Sequence, residues 1–201
     1  MKALLSHPLA YLLFQRLVGA ESFRKRVVEN YVHPKQGDRI LDIGCGTADI
    51  LTHLPTVDYV GFDANPQYIH YAQKKFAGRG RFSCEDVSQE HWTESKTFDI
   101  VLAFGLLHHL PAQDAHKLLT LAYRALRSGG RLVTVDNCYA PDQSPIAKYL
   151  ISKDRGEYQR NQEGYLALAR PVFPDIQAHL HHDGLRIPYT HLIMEMRKAE
   201  A

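Results

Sequence analysis

The stretch Ile40-Leu41-Asp42-Ile43-Gly44-Cys45-Gly46-Thr47-Ala48-Asp49 decides how this chain is read. A short apolar run of buried-strand character enters a turn with glycines at alternate positions, and a helical segment follows. Glycine takes positive φ and lets the backbone approach a ligand closely. A glycine turn of this kind also occurs in βα units that bind nothing, so the second strand, Tyr59-Val60-Gly61-Phe62-Asp63, matters more. It ends in a carboxylate about 20 positions after the loop, where doubly wound folds hold an acceptor for the two hydroxyls of a ribose. A third strand, 81–84, runs on to Asp86, placed to accept from an adenine amino group.

The loop also discriminates among nucleotides. A dinucleotide fingerprint wants Gly or Ala at the last position of G-x-G-x-x-G, beside the pyrophosphate. Here that position is Asp49, and Asp42 precedes the first glycine. Two carboxylates repel a pyrophosphate but suit the ammonium and sulfonium charges of S-adenosylmethionine, which disfavours NAD.

Outward from the loop, β-rich runs at Arg39–Ile43, 59–62, 81–84, 99–104 and 131–136 alternate with helical runs at 47–54, 67–77 and 112–126. That alternation predicts an α/β fold with a mainly parallel sheet. Two final strands, at 185–187 and 191–196, form an antiparallel hairpin if Pro188-Tyr189 is their tight connection. The whole reads as one Rossmann-like, doubly wound, seven-stranded domain. It divides into a helical cap over 1–36, with helices at 9–18 and 22–31, and a cofactor-binding core over 37–137. A substrate-side insert over 138–176, helical near 161–170, and a strand pair over 177–201 complete it.

Bulk properties exclude several classes. A net charge of +2 over 201 residues carries no electrostatic footprint of a nucleic-acid binder. Three scattered cysteines without a CxxC pair suit free thiols in a reducing, cytoplasmic setting. No run reaches the roughly 20 apolar residues that span a bilayer, so stable membrane insertion is not expected. Four histidines, His179, His181, His182 and His191, lie close in sequence without metal-ligand spacing and are read as strand-face or solvated residues.

Taken together, these stretches resemble the class I S-adenosylmethionine-dependent methyltransferases over residues 37–137. The resemblance is carried by Leu41-Asp42-Ile43-Gly44-Cys45-Gly46-Thr47, Gly61-Phe62-Asp63, Glu85-Asp86-Val87, and Phe98-Asp99-Ile100-Val101 running on to Leu107-His108-His109-Leu110. The turn Arg124-Ala125-Leu126-Arg127-Ser128-Gly129-Gly130 is similar to the family's helix-to-strand turn. The resemblance implies S-adenosyl-L-methionine as cofactor and S-adenosyl-L-homocysteine as product. Asp42, Gly44, Cys45 and Gly46 would hold the methionine portion, Asp63 with Ala64 the ribose, and Asp86 with Val87 the adenine. Phe104 and Gly105 would flank the sulfonium. Ala48 stands where the family's pattern has a third glycine, and crowding is expected there. Phe104-Gly105-Leu106-Leu107 lacks the Asn/Asp-Pro-Pro-Tyr/Phe motif of nucleobase methylases. The Leu-His-His-Leu run is similar to members acting on small molecules, such as those of quinone biosynthesis, so a small-molecule acceptor is expected.

Methyl transfer is a direct displacement, and positioning supplies much of its catalysis. A base is needed only for an acceptor that arrives protonated. His109, after the fourth strand, is the first candidate, though paired histidines also serve as structural turns. Asp136 and Tyr139 follow the fifth strand, at the carboxyl ends where α/β ligands gather. With Tyr11 of the cap and Arg155 of the insert they make the expected substrate side. Two other readings stay open: a cofactor-binding partner subunit without turnover, and an NAD-linked oxidoreductase.

Overall fold

The computed structural model describes residues 8–86, 97–154 and 156–200. Two helices, α1 (Pro8–Leu17) and α2 (Ala20–Val27), lead through one π-helical turn at Val28–Val32 into β1 (Arg39–Ile43). Then come a 3-10 turn at Asp49–Thr52, β2 (Asp58–Asp63), α3 (Pro66–Lys75), β3 (Arg81–Cys84), β4 (Phe98–Phe104) and a 3-10 turn at Leu107–His109. The chain continues through α4 (Ala112–Ala125), β5 (Leu126–Tyr139), α5 (Pro145–Ser152), β6 (Arg160–Asn161), α6 (Gln162–Ala169), β7 (Asp175–His181) and β8 (His191–Arg197).

Seven strands lie in the order β3-β2-β1-β4-β5-β8-β7, and β6 pairs off this path with the end of β5. β3 to β5 are joined in parallel, whereas β8 runs antiparallel to both β5 and β7. The strand order reverses between β1 and β4, so the carboxyl end of β1 opens on a crevice in which the sheet lays no strand.

Alternation along β1 shows how the two faces are covered. Leu41 and Ile43 join a core with α4, α6 and β8, while Ile40 joins one with α2, the Asp49–Thr52 turn and α3. Asp42 therefore points to the α2 side. The inward stripe of α4, namely Ala115, Leu118, Leu119, Ala122 and Ala125, is buried as its period requires. Helix α3 starts sharply because Asn65 accepts from the Gln67 amide at 2.9 Å and Pro66 fills the first turn.

Three sequence expectations are corrected. The penultimate strand is Asp175–His181, not 185–187, and the hairpin closes across residues 182–190 rather than at Pro188-Tyr189. The reason is a period of two: Ile176, Ala178 and Leu180 pack on the core while polar residues alternate with them. The stretch 47–54 is one 3-10 turn rather than a helix, because Ala48 sits at φ 54 and resets the chain after the glycine loop. β5 begins at Leu126, five residues before its expected start, since Leu126 already pairs with Phe98 across an irregularity in register. Helix α5 was not foreseen. Ser144 caps it by accepting from the Ala147 amide at 3.1 Å.

Candidate active site

The glycine loop opens a small cleft at the end of β1. Asp42, Gly44, Cys45, Gly46, Thr47, Asp49, Ile50 and Phe104 line it, together with Arg24 from α2. Both amides of the turn, at Gly44 and Cys45, bond the Phe62 carbonyl at 2.8 and 2.9 Å, which folds the loop across the tip of β2. Gly44 has to be glycine. Its φ is 72°, and a Cβ would come within 2.9 Å of Leu106 Cδ2. Gly46 also has positive φ, and nothing lies within 4 Å of where its Cβ would be. The cleft is therefore open directly above the loop, the space a ligand backbone approach requires.

Asp63 ties loop and strand together. Its Oδ2 accepts the Gly46 amide at 2.9 Å and its Oδ1 the Asn65 amide at 2.8 Å. Burial raises its carboxyl even against these two bonds. Each oxygen keeps a further lone pair, so the carboxylate is oriented without being used up. Asp42 is more deeply buried, and burial pushes its carboxyl up to about 7 although Tyr59 donates its hydroxyl to Oδ2 at 2.6 Å. Asp49 is not a free negative charge. Lys75 Nζ lies 2.5 Å from its Oδ1, and Thr47 donates to its Oδ2 at 2.7 Å. The charge argument against a pyrophosphate thus rests on Asp42 and Asp63 more than on Asp49.

Of the expected cofactor residues, Asp42, Gly44, Cys45, Gly46 and Phe104 meet at this cleft. Ala64 and Asp86 are exposed, after β2 and β3 respectively. Val87 and Arg155 lie outside the described residues, as does the side chain of Tyr11 in α1. Ala48 is fully buried in the core below the loop, so the substitution is felt as a left-handed backbone and not as crowding of the cleft.

A second constellation stands beyond the ends of β4 and β5. The turn Leu107–His109 buries His108 and exposes His109, with ring centroids 4.2 Å apart. His108 Nδ1 lies 2.8 Å from Asp136 Oδ1, which also accepts the His108 amide at 3.1 Å. On the other edge, Nε2 lies 3.5 Å from Asp154 Oδ1, while Asp154 Oδ2 accepts the Tyr189 hydroxyl at 2.6 Å. Burial opposes charge on His108, but the two carboxylates more than reverse that and raise it to about 9. Asp136, the more buried carboxylate, is pushed up by its burial despite His108. Asp154 moves the other way, because His108 and Tyr189 outweigh its partial burial. Donor atoms of His108, His109 and Asp154 lie within 4.8 Å of one another, a spacing open to a metal ion. Both ring nitrogens of His108 already face carboxylates, so the group reads as an internal ion-pair network.

The insert clamps this turn. Tyr158 donates its amide to the His108 carbonyl at 3.0 Å, and Arg160 donates to the Leu107 and Leu110 carbonyls at 2.9 and 2.8 Å. Asp136, expected on the substrate side, is instead 2% exposed and bonded to His108, while Tyr139 is half-buried at the end of β5. Gly105, at φ 67, leaves the end of β4 next to His108, with Cε1 3.8 Å from where a Cβ would be. Arg24, Asp154 and Tyr189 were not singled out from sequence. The signal for Arg24 was its place on the α2 stripe that includes Ala20, Phe23 and Val27.

Comparison with known proteins agrees with this layout. Residues 40–130 match the methyltransferase domain family. The chain is 29% identical over 159 residues to a 27-O-demethylrifamycin SV methyltransferase of Amycolatopsis mediterranei, covering 75% of this chain and 55% of that protein. It is 32% identical over 136 residues to a ubiquinone/menaquinone biosynthesis C-methyltransferase of Desulfotalea psychrophila, covering 65% and 51%. The chain spans about half the length of these relatives. Among solved structures, a phosphoethanolamine N-methyltransferase 2 of Haemonchus contortus, in complex with phosphomonomethylethanolamine and S-adenosylhomocysteine, superposes with a TM-score of 0.70. That match has 19% identity over 88% of this chain and 52% of that one. A TehB-like methyltransferase of Corynebacterium glutamicum gives 0.66 at 19% identity, covering 95% and 98%. Loop, switch point and strand order agree with the matched domain, so that over residues 40–130 the chain is similar to the methyltransferase domain and, beyond it, to relatives that are methyltransferases.

Proposed function

We propose that the protein transfers the methyl group of S-adenosylmethionine to a small-molecule acceptor by in-line displacement, releasing S-adenosylhomocysteine. The observation that carries this reading is the acidic cleft at the switch point, where the Gly46 amide and the Asp63 carboxylate hold each other across an otherwise open loop. The cofactor would supply an electrophilic methyl carbon whose sulfur leaves as a neutral thioether. In this reading the protein's part is placement. Asp63, beside Ala64, offers acceptors to a ribose, the loop from Asp42 to Gly46 takes the amino-acid end, and Asp86 with Val87 takes the adenine.

Phe104 and Gly105 would bound the reacting carbon at the end of β4, next to the exposed His109. His109 is the proposed base, needed where the acceptor's hydroxyl or amine must lose a proton. Tyr139, Tyr11 and Arg155 would face the acceptor, with Asp136 acting through His108. The names of the relatives span oxygen, carbon and nitrogen methylation, which favours a small acceptor without choosing the atom. Among the described residues no helix is long and apolar enough to cross a membrane.

Calorimetric titration of S-adenosylhomocysteine into wild type and Asp63→Ala tests the assignment. Charge-assisted hydrogen bonds are each worth about 1.5–3 kcal/mol, so the variant is expected to bind about 10- to 100-fold more weakly. No binding by the wild type would refute the cofactor reading. Tight binding with no methyl transfer to any phenol, quinol or amine in a panel would favour a non-catalytic partner subunit.

A further inference from the structure

The two edges of the sheet are built differently. β3 is four residues long and opens on the exposed Arg81. β7 is seven residues long, pairs with β8 from Asp175 to His181 without a bulge, and contains no lysine, arginine, proline or glycine. Among the described residues no strand pairs with its outer side. A long regular edge offers a row of amides and carbonyls to any other strand, and soluble proteins ordinarily blunt it with a charge, a proline or a bulge. β7 has one carboxylate, at its first position, and none of the other devices.

Its row of side chains is complementary to itself. In a second copy running antiparallel about a twofold axis at Ala178, Asp175 faces His181, Ile176 faces Leu180, Gln177 faces His179, and Ala178 faces Ala178. Residues directly opposite each other share a face of the sheet. Ile176, Ala178 and Leu180, which already pack against the core beside α6, would therefore continue one apolar row across the axis. Backbone groups point outward at alternate residues, and this register sets outward residues against outward ones. A slip by one residue would set them against inward ones and oppose every apolar side chain to a polar one. The ends of the row match as well. Asp175 is exposed and, among the described residues, makes no hydrogen bond or ion pair, not even with Arg197 opposite it on β8. The Tyr31 hydroxyl lies 2.6 Å from His181 Nε2. With the phenol donating, His181 Nδ1 carries the hydrogen and is left to donate to a carboxylate beyond the edge.

We propose that β7 is a docking surface for a second copy of this chain, the two strands pairing antiparallel about Ala178 so that the two sheets become one. Each Asp175 then accepts from the His181 of the other copy, once at either end of the pair. The contact is isologous, so it closes at two copies and uses up the edge that would otherwise recruit other strands. A single strand pair lies at the small end of specific interfaces, and the dimer is expected to dissociate with a constant of about 1–100 µM. This inference is independent of the cofactor and of the acceptor.

The test is sedimentation equilibrium over about 1–200 µM protein, a range that brackets the expected constant. Wild type, Asp175→Lys, His181→Asp and an equimolar mixture of the two variants are compared, with circular dichroism to check folding. The wild type is expected to pass from monomer to dimer. Each variant alone should dimerise about 10- to 100-fold more weakly, because the twofold axis removes the contact twice. In the mixture the introduced lysine meets the introduced aspartate at one end, and the native Asp175 meets the native His181 at the other. Heterodimers should therefore form with close to wild-type affinity. Single variants that associate as the wild type does, or a mixture no tighter than its components, overturn the proposal. So does a wild type that stays monomeric throughout, which leaves the edge to a strand of another protein, or one that grows beyond the dimer. Should His181→Asp, which gives up the Tyr31 bond, fail to fold, Asp175→Lys decides alone, since that side chain has no partner to lose within its own copy.

Discussion

Replacing the buried pair His108 and Asp136 by the neutral pair His108→Gln/Asp136→Asn should abolish a pH-dependence of stability that the wild type shows. His108 rises from 6.5 to about 9 in the folded protein because Asp136 and Asp154 flank its two nitrogens. At 1.36 kcal/mol per unit, that rise corresponds to about 3 kcal/mol favouring the protonated folded state. Since the folded value is the higher one, this stability is fully present below about 6.5 and is lost as pH rises through about 9. Asp136 offsets part of the total stability, because burial raises its carboxyl and the folded state must still hold it charged. That offset is set at lower pH and leaves the loss through pH 9 intact. The assay is urea unfolding at pH 6.5, 8 and 10. The wild type should lose up to about 3 kcal/mol across that series relative to the double variant, whose Gln and Asn side chains can hydrogen-bond without charge. Parallel profiles for the two proteins would refute the view that His108 is held as an imidazolium.

Two further predictions concern neighbouring parts of the site. A Cβ at Gly156 would come within 2.3 Å of His108 Cδ2 and 2.6 Å of the His108 carbonyl, so Gly156→Ala must push the insert off the turn. About 1–3 kcal/mol of overpacking translates into a melting temperature lower by several degrees, and an unchanged melting curve would show that the clamp gives way freely. Asp42 titrates at about 7 in the unliganded protein, and only its charged form pairs with an ammonium. Affinity for S-adenosylhomocysteine should therefore fall about 10-fold between pH 8 and pH 6, and Asp42→Asn should bind weakly at both. A flat wild-type affinity over that range would remove Asp42 from the amino-acid contact.

How much of this could be read from the sequence depended on whether a residue's meaning was local. β1 and β3 fall on Arg39–Ile43 and Arg81–Cys84 as expected, because a buried parallel strand is a short apolar run bounded by turns. That Asp42, Gly44, Cys45 and Gly46 meet at the cleft, with Asp63 bonded to the Gly46 amide, was legible for the same reason: each lies at or just beyond the carboxyl end of such a strand. β7 was legible and was passed over. Its histidines at 179 and 181 are read from sequence only as strand-face or solvated residues, whereas Ile176, Ala178 and Leu180 between the polar positions already spell an alternating strand.

Other features are properties of contact rather than of pattern. Tyr59 meets Asp42 across adjacent strands, with Asp42 in register with Gly61, so that the phenol crosses diagonally over a glycine. Asp154 lies 46 positions after His108 in the chain and comes to it only because β5, α5 and the insert fold back over the turn. In Arg24-Lys25-Arg26, composition alone suggests a solvated basic face, and helical periodicity separates the first residue from the other two. The stripe that packs Phe23 and Val27 on the sheet therefore also sets Arg24 in the wall of the cleft, a placement that follows from helical spacing and contact together and not from composition.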